Sequence, residues 1–200
     1  CFEKITCHAG NPHDICKGEI GMRVIAGSAR GRRLKTLEGM DVRPTTDKVK
    51  EAIFSAIQFD LPDAAVLDLF AGSGQMGIEA LSRGAASVVF VDRSARSLQV
   101  TRENLESVQF AEQAQLHQTE AQSFLQSTAM QFDIAILDPY RKGMHEKLLP
   151  LLAEHMADNG IVICEHETGL EMPQSVGVLE QKKQKKYGAI TVTTYICRRD

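Results

Sequence analysis

Three aspartates, Asp68, Asp92 and Asp138, stand at or near the ends of apolar runs, and the first leads directly into Leu69-Phe70-Ala71-Gly72-Ser73-Gly74. An acid in that position is what a parallel sheet offers a ligand at the carboxyl edge of its strands. Glycines at 72 and 74 tolerate positive φ and let the backbone lie against that ligand. The spacing Gly72-x-Gly74-x-x-Gly77 satisfies the dinucleotide fingerprint, and Asp92 follows at roughly 20 residues, where a ribose-binding acid belongs. By spacing alone, a nicotinamide dinucleotide and S-adenosylmethionine both fit. Asp68 separates them, because a carboxylate facing the ligand repels a pyrophosphate and attracts an ammonium or sulfonium. The plainer role for Asp68 is to cap the turn by accepting backbone N–H groups.

The run Ser87-Val88-Val89-Phe90-Val91-Asp92 delivers an acid able to grip both ribose hydroxyls through charge-assisted hydrogen bonds, with Arg93 flanking the adenine. Thr119-Glu120-Ala121 ends the next run, where Glu120 either accepts from the adenine amino group or begins a helix. Ile134-Ala135-Ile136-Leu137-Asp138-Pro139-Tyr140 is the second informative turn. There a carboxylate and backbone carbonyls can accept hydrogen bonds from an exocyclic base amine while an aromatic ring stacks on the base. Those acceptors would aim the nitrogen lone pair at a methyl carbon. The competing reading of this turn is a helix cap followed by a core tyrosine.

Positioning these groups requires strands at 65–69, 87–92, 113–118, 132–137 and 160–165, alternating with helices near 75–83, 94–107, 120–127 and 144–156. Two further β-like runs, 176–181 and 189–197, predict a terminal hairpin antiparallel to part of the sheet. The expected fold is therefore α/β: a doubly wound, mostly parallel Rossmann-like sheet with an antiparallel C-terminal strand. Ahead of it, 22–27 and 31–34 read as a small N-terminal β-hairpin with arginines in and around its turn. Arg43-Pro44-Thr45-Thr46-Asp47 then leads into a helix reaching about Phe59, capped by Thr46 or Asp47. Its recurring Val49, Ala52, Ile53, Ala56 and Ile57 mark a core face. Residues 1–21 show no sustained period and read as a leader or added extension, leaving 22–200 as one domain.

The formal charge of −3 at pI about 6.1 argues against generic coating of nucleic acid. Two patches nevertheless stand out: Arg23, Arg30, Arg32, Arg33, Lys35, Arg43, Lys48 and Lys50, and later Lys182, Lys183, Lys185 and Lys186. Localised basic patches on an acidic body point to an anionic partner such as RNA. Solvated surface charge competes with that reading, more strongly for the lysines. Cys164 and Cys197 lie in apolar runs where reduced, buried thiols are expected. Cys1, Cys7 and Cys16 near His8 and His13 contain no C-x-x-C pair, a weak basis for zinc. No run approaches a membrane span, so the expected setting is cytoplasmic, away from membranes.

Several segments together resemble the bacterial 16S rRNA guanine-N2 methyltransferase family, which modifies guanine-966. They are Met22-Arg23-Val24-Ile25-Ala26-Gly27, Arg43-Pro44-Thr45-Thr46-Asp47-Lys48-Val49-Lys50-Glu51-Ala52-Ile53-Phe54, Leu67 through Gly74, Leu137-Asp138-Pro139-Tyr140 and Lys186-Tyr187-Gly188. The resemblance spans about 22–200. It implies methyl transfer from S-adenosylmethionine to the 2-amino group of one guanine in small-subunit rRNA, with an assembling subunit as partner; a monomer is expected, and no metal, because the sulfonium already activates the methyl group. By position, Asp68, Phe70, Ala71, Gly72, Ser73 and Gly74 would line the methionine end of the cofactor, and Asp92 the ribose; the residues' own reading adds Arg93, Glu120 and Ala121 to the cofactor site. Asp138, Pro139 and Tyr140 would present the guanine, and Arg23, Arg30, Arg32, Arg33, Arg43 and Thr46 would meet the RNA. This sequence departs from the family's usual Asp-Pro-Pro-Tyr: one proline separates Asp138 from Tyr140, which touches the stacking role of Tyr140 more than the role of Asp138.

Three rival functions share these residues. A nicotinamide-dependent oxidoreductase would use the same glycines. A methyltransferase with a DNA, protein or small-molecule acceptor would keep the cofactor site. A noncatalytic RNA-binding assembly factor would keep only the basic surface.

Overall fold

The structure is a computed structural model that describes residues 22–37, 46–139 and 143–199. The expected leader at 1–21, with its cysteines and histidines, lies outside these residues, as do Arg43 and Tyr140. Strands β1 (Ala65–Asp68), β2 (Ser87–Asp92), β3 (Ala114–Gln118), β4 (Phe132–Leu137) and β5 (Met156–Glu167) pair in parallel. Strands β6 (Ser175–Val176), β7 (Leu179–Tyr187) and β8 (Ile190–Cys197) continue the sheet antiparallel, in the order β3-β2-β1-β4-β5-β8-β7-β6. The order reverses beside β1, which places a ligand crevice at its carboxyl end. The doubly wound, mostly parallel sheet with an antiparallel end is thus as the sequence predicts.

Near-continuous burial along β1, β2 and β4 reflects helices on both faces of the sheet. On one face Val66, Phe90, Ile136 and Ile163 pack with Ile53 and Phe54 of α1 (Asp47–Ala56) and Ile78 of α2 (Gln75–Ser82). Leu98 and Leu105 of α3 (Ala95–Val108) join them. On the other face Leu67, Val89, Leu137 and Cys164 pack with Phe124 of α4 (Ala121–Ser127) and Leu148 and Leu152 of α5 (Met144–Glu154). Cys164 and Cys197 are buried free thiols, as expected.

The N-terminal segment pairs with itself more briefly than the expected hairpin. It forms a single antiparallel bridge, Arg23 to Arg33, and no named strand. Leu34 N–H donates to the Met22 carbonyl at 2.8 Å and Val24 N–H to the Arg32 carbonyl at 3.0 Å, while the turn between the two arms is held by α2: Ile25 N–H and Ala26 N–H donate to the Glu79 carboxylate at 2.7 and 3.0 Å, and Ser28 N–H donates to the Ser82 carbonyl at 2.8 Å. A Cβ at Gly27 would lie 1.7 Å from that carbonyl oxygen, so the segment lies flush on the helix.

Other boundaries shift for local reasons. Helix α1 ends at Ala56 rather than near Phe59, and Ala56 is exposed while Val49, Ile53 and Ile57 form the buried face. Strand β5 begins at Met156, absorbing the expected end of α5, and the expected terminal hairpin acquires β6 as a third strand. Lys50, counted with the basic patch, is fully buried: its ammonium donates to the Arg23 carbonyl at 2.6 Å and lies 4.0 Å from Glu79.

Candidate active site

The turn after β1 is built by its glycines. Gly72 has φ +56° and Gly74 has φ +79°, and Gly74 N–H closes the turn onto the Ala71 carbonyl at 2.7 Å. A Cβ at Gly74 would come within 2.7 Å of Thr101 Cγ2, whereas beside Gly72 the nearest atom is the Phe70 carbonyl oxygen at 4.0 Å. One glycine therefore packs on α3 and the other leaves open space for a ligand. Gly77, inside α2, lets the helix approach the sheet: its Cβ would sit 2.2 Å from Phe90 Cε1.

Two polar side chains of α3 brace this turn from below. Thr101 Oγ1 donates to the Gly72 carbonyl at 3.0 Å, and Asn104 Nδ2 donates to the Ser73 carbonyl at 2.8 Å. The Asn104 amide also exchanges two hydrogen bonds with the Lys35 backbone, at 2.7 and 3.1 Å. Ser73 Oγ lies 3.3 Å from Met22 Sδ. Turn, helix and N-terminal segment thus share a single polar knot.

The acids meet at one rim. Asp68 is in register with Phe90 and Ile136, so Asp92 and Asp138 stand two residues farther along the flanking strands, on the same face. Asp68 is buried, and its Oδ2 accepts Gly77 N–H at 3.0 Å. Burial raises its pKa to about 7, opposed by that hydrogen bond and reinforced by Asp138 and Asp92. Burial likewise raises Asp138 to about 6. Asp92 bridges the two turns, accepting Gly72 N–H at 2.9 Å on Oδ2 and Ser94 N–H at 2.8 Å on Oδ1. Asp68 and Asp92 therefore both brace backbone, the plainer role anticipated for Asp68, at the carboxyl edge of β1 and β2.

Comparison with known proteins shows the family of the chain. The family model described as "Conserved hypothetical protein 95" matches residues 22–196. The chain belongs to this family. It is 40% identical over 180 residues to YlbH of Bacillus subtilis, covering 87% of this chain and 98% of that protein. It is 32% identical over 187 residues to Ribosomal RNA small subunit methyltransferase D of Escherichia coli, covering 92% of this chain and 93% of that protein. The solved structure of yhhF from Escherichia coli superposes with TM-score 0.82 at 30% identity, covering 90% of this chain and 99% of that one.

Within this family member, the remaining expected site residues fall in distinct places. Phe70 is half-buried against the second core, Ala71 is buried, and Pro139 lies half-buried beside Asp138. Arg93 and Glu120 pair with each other at 3.6 Å at the exposed rim next to Asp92, and Glu120 precedes α4, whose first residue, Ala121, is buried. Glu120 is thus both helix start and rim acid. Arg30 and Arg33 are exposed, Arg23 pairs with Asp47 at 3.1 Å, and Arg32 donates to the Ser107 carbonyl. Thr46 caps α1, accepting Val49 N–H at 3.4 Å.

Sequence reasoning missed Thr101, Asn104, Glu79 and His145. The first two did leave a signal, as polar residues interrupting the buried stripe Leu98-Thr101-Leu105-Val108 of α3. His145 opens α5 just after the Asp138 turn and is buried, and burial pushes its pKa down to about 4, aided by His166.

The described residues fit a cationic methyl donor. An acid raised to about 7 by burial, with two neighbouring acids adding to the shift, gains most from a positive ligand, and a pyrophosphate would add to the repulsion.

Proposed function

We propose that this chain transfers a methyl group from S-adenosylmethionine to the exocyclic N2 amine of guanine-966 in 16S rRNA, acting on an assembling small subunit. The observation that carries the reading is the set of acids on one rim, Asp68, Asp92 and Asp138, beside a glycine turn open at Gly72. The name of the Escherichia coli relative supports rRNA as the acceptor class.

In this reading Asp68 faces the positive charge of the donor, and Asp92 exchanges a backbone partner for the ribose hydroxyls. S-adenosylmethionine, if held there by Asp68, Asp92 and the Gly72–Gly74 turn, would supply a methyl group activated by its sulfonium, with the thioether as leaving group. The extruded guanine lies against Asp138 and the Pro139 carbonyl, with Tyr140 stacking on the base. Asp138 accepts a hydrogen bond from the amine, orients its lone pair in line with the methyl group and takes the proton released as the N–C bond forms. Burial raises the Asp138 carboxyl above the ordinary carboxylate range, which makes it a stronger proton acceptor than an exposed aspartate.

Mapping methylated positions in rRNA from cells with and without the gene tests the whole reading. Loss of one guanine N2 methyl mark is expected, and an unchanged rRNA would overturn it. Titration with S-adenosylhomocysteine and with NADH tests the cofactor: only the former should bind.

A further inference from the structure

Strand β7 carries Lys182, Lys183, Lys185 and Lys186, all exposed. Its place in the sheet relates them to the candidate active site. Leu137 pairs with Cys164, Cys164 with Thr193 and Thr193 with Gln184, a row running from β4 across β5 and β8 to β7. One residue farther along, Asp138 follows Leu137, while Glu165, Val192 and Lys185 are in register. Side chains alternate along strands, so Lys183 and Lys185 share the face of Val192 and Ile136, the face on which Asp138 stands. Three strand spacings separate β7 from β4, about 14 Å.

Lys186 and Gln184 project to the opposite face, where they line a groove with Glu171. On the Asp138 face, the Lys185 ammonium lies 5.2 Å from the Tyr187 ring centroid, and Tyr187 packs against the core. Glu165, between Asp138 and Lys185 in the row, is buried, and Glu167 lies two residues farther out. Among the described residues, the ion pairs involve Arg23, Lys35, Lys50, Arg83 and Arg93, and no lysine of β7. An aromatic ring that orders a lysine beside a second exposed lysine makes a cationic edge on the reaction face, with phosphate as its matching chemistry.

We propose that Lys183 and Lys185, ordered by Tyr187, form a phosphate-binding edge for the RNA strand that delivers the acceptor base to Asp138. This rests on the reading of the chain as an rRNA methyltransferase. The N-terminal arginines hold a different part of the surface, over α2 and α3, so the edge adds a second contact to the same substrate.

The test is a Lys183→Gln, Lys185→Gln double variant, with Lys183→Arg, Lys185→Arg as the charge-conserving control. Binding of a small-subunit rRNA fragment is followed across salt concentrations, together with methyl transfer. Loss of two phosphate contacts should flatten the slope of log affinity against log salt by about 1.4, and raise KM for RNA about 10-fold. The kcat at saturating RNA and the affinity for S-adenosylhomocysteine should stay within about two-fold, and the arginine variant should behave as the unaltered protein. Unchanged slope and KM in the glutamine variant, with the unaltered protein active on rRNA, would overturn the edge and leave the function standing. A defect confined to protein-containing particles would also overturn it, assigning the lysines to an acidic protein surface. Absence of RNA binding and methyl transfer by the unaltered protein would remove the function first and this edge with it.

Discussion

Asp68 Oδ2 accepts Gly77 N–H at 3.0 Å, tying the end of β1 to the first turn of α2 beneath the ligand crevice. The bond does not offset the carboxylate's burial, and the folded-state pKa near 7 stands well above the unfolded value of about 3.9. A carboxyl raised on folding contributes stability in its protonated form, and that contribution is lost as pH rises from about 4 through 7. Asp68→Asn keeps an acceptor for Gly77 and removes the titration. Relative to the unaltered protein, it should gain stability in denaturant melts from pH 5 to pH 8, by up to about 4 kcal/mol. S-adenosylmethionine affinity should rise over the same range in the unaltered protein and not in the variant. Parallel pH profiles for the two proteins would sink the assignment.

Asp138 is placed to act on the acceptor. Asp138→Ala should abolish detectable methyl transfer while S-adenosylhomocysteine binding by calorimetry stays within about three-fold, the loss of a general base and orienting acceptor alone being worth about 10²–10⁴ in rate. Loss of both together would contradict the role given to it.

Asn104→Ala would break bonds to the Ser73 carbonyl and to both backbone groups of Lys35. Leaving the buried Ser73 carbonyl unsatisfied costs about 1–3 kcal/mol, and the part-buried Lys35 groups less. The expected result is a lower melting temperature and about 10-fold weaker S-adenosylhomocysteine binding, because the turn that meets the ligand loses its brace. Wild-type affinity at wild-type stability would remove Asn104 from the site.

The Glu79 carboxylate gathers Ile25 N–H, Ala26 N–H and Arg83 Nε, with Lys50 Nζ at 4.0 Å. Burial lowers the Lys50 pKa, and Glu79 acts to raise it again. Glu79→Ala strands a buried cation, which should destabilise the fold by about 3–5 kcal/mol. Limited trypsin digestion should then cut first at Arg30, Arg32 or Arg33. Glu79→Gln, retaining an acceptor, should slow that cleavage.

Gly77→Ala would set a Cβ 2.2 Å from Phe90 Cε1 and 2.8 Å from Val88 Cγ1. Because the ring and the strand are packed from both sides, overpacking of about 1–3 kcal/mol is expected, read as a lower denaturation midpoint.

Much of this was legible in the residues. Period and glycine spacing located β1, β2, β4 and the turn at Gly72, because in a sheet buried on both faces the apolar runs and the residues that end them are dictated by packing. The three acids could be assigned to one edge from chain order alone. The antiparallel pairing expected at 22–34 is present only as one bridge with its flanking hydrogen bonds, because the turn between its arms is held by α2: those partners are Glu79 and Ser82, more than 50 residues away, and no local pattern reveals them. Lys50 reads as surface charge until Glu79 and the Arg23 carbonyl are seen beside it. Thr101 and Asn104 escaped because small polar residues in a helical stripe look like imperfections of a core when the carbonyls they hold lie 29 and 31 residues away.

Strand β8 pairs with β5 on one side and β7 on the other, although it follows both in the chain. During synthesis, β5 must therefore wait with an open hydrogen-bonding edge while some twenty residues of later sequence emerge. Until the wedge arrives, β7 and its lysines have no place in the sheet, so a nascent chain halted before residue 190 would keep its glycine turn and lack a closed flank. Such a chain presents a sticky border to its neighbours, which makes slow translation through this region a hazard for aggregation rather than for catalysis.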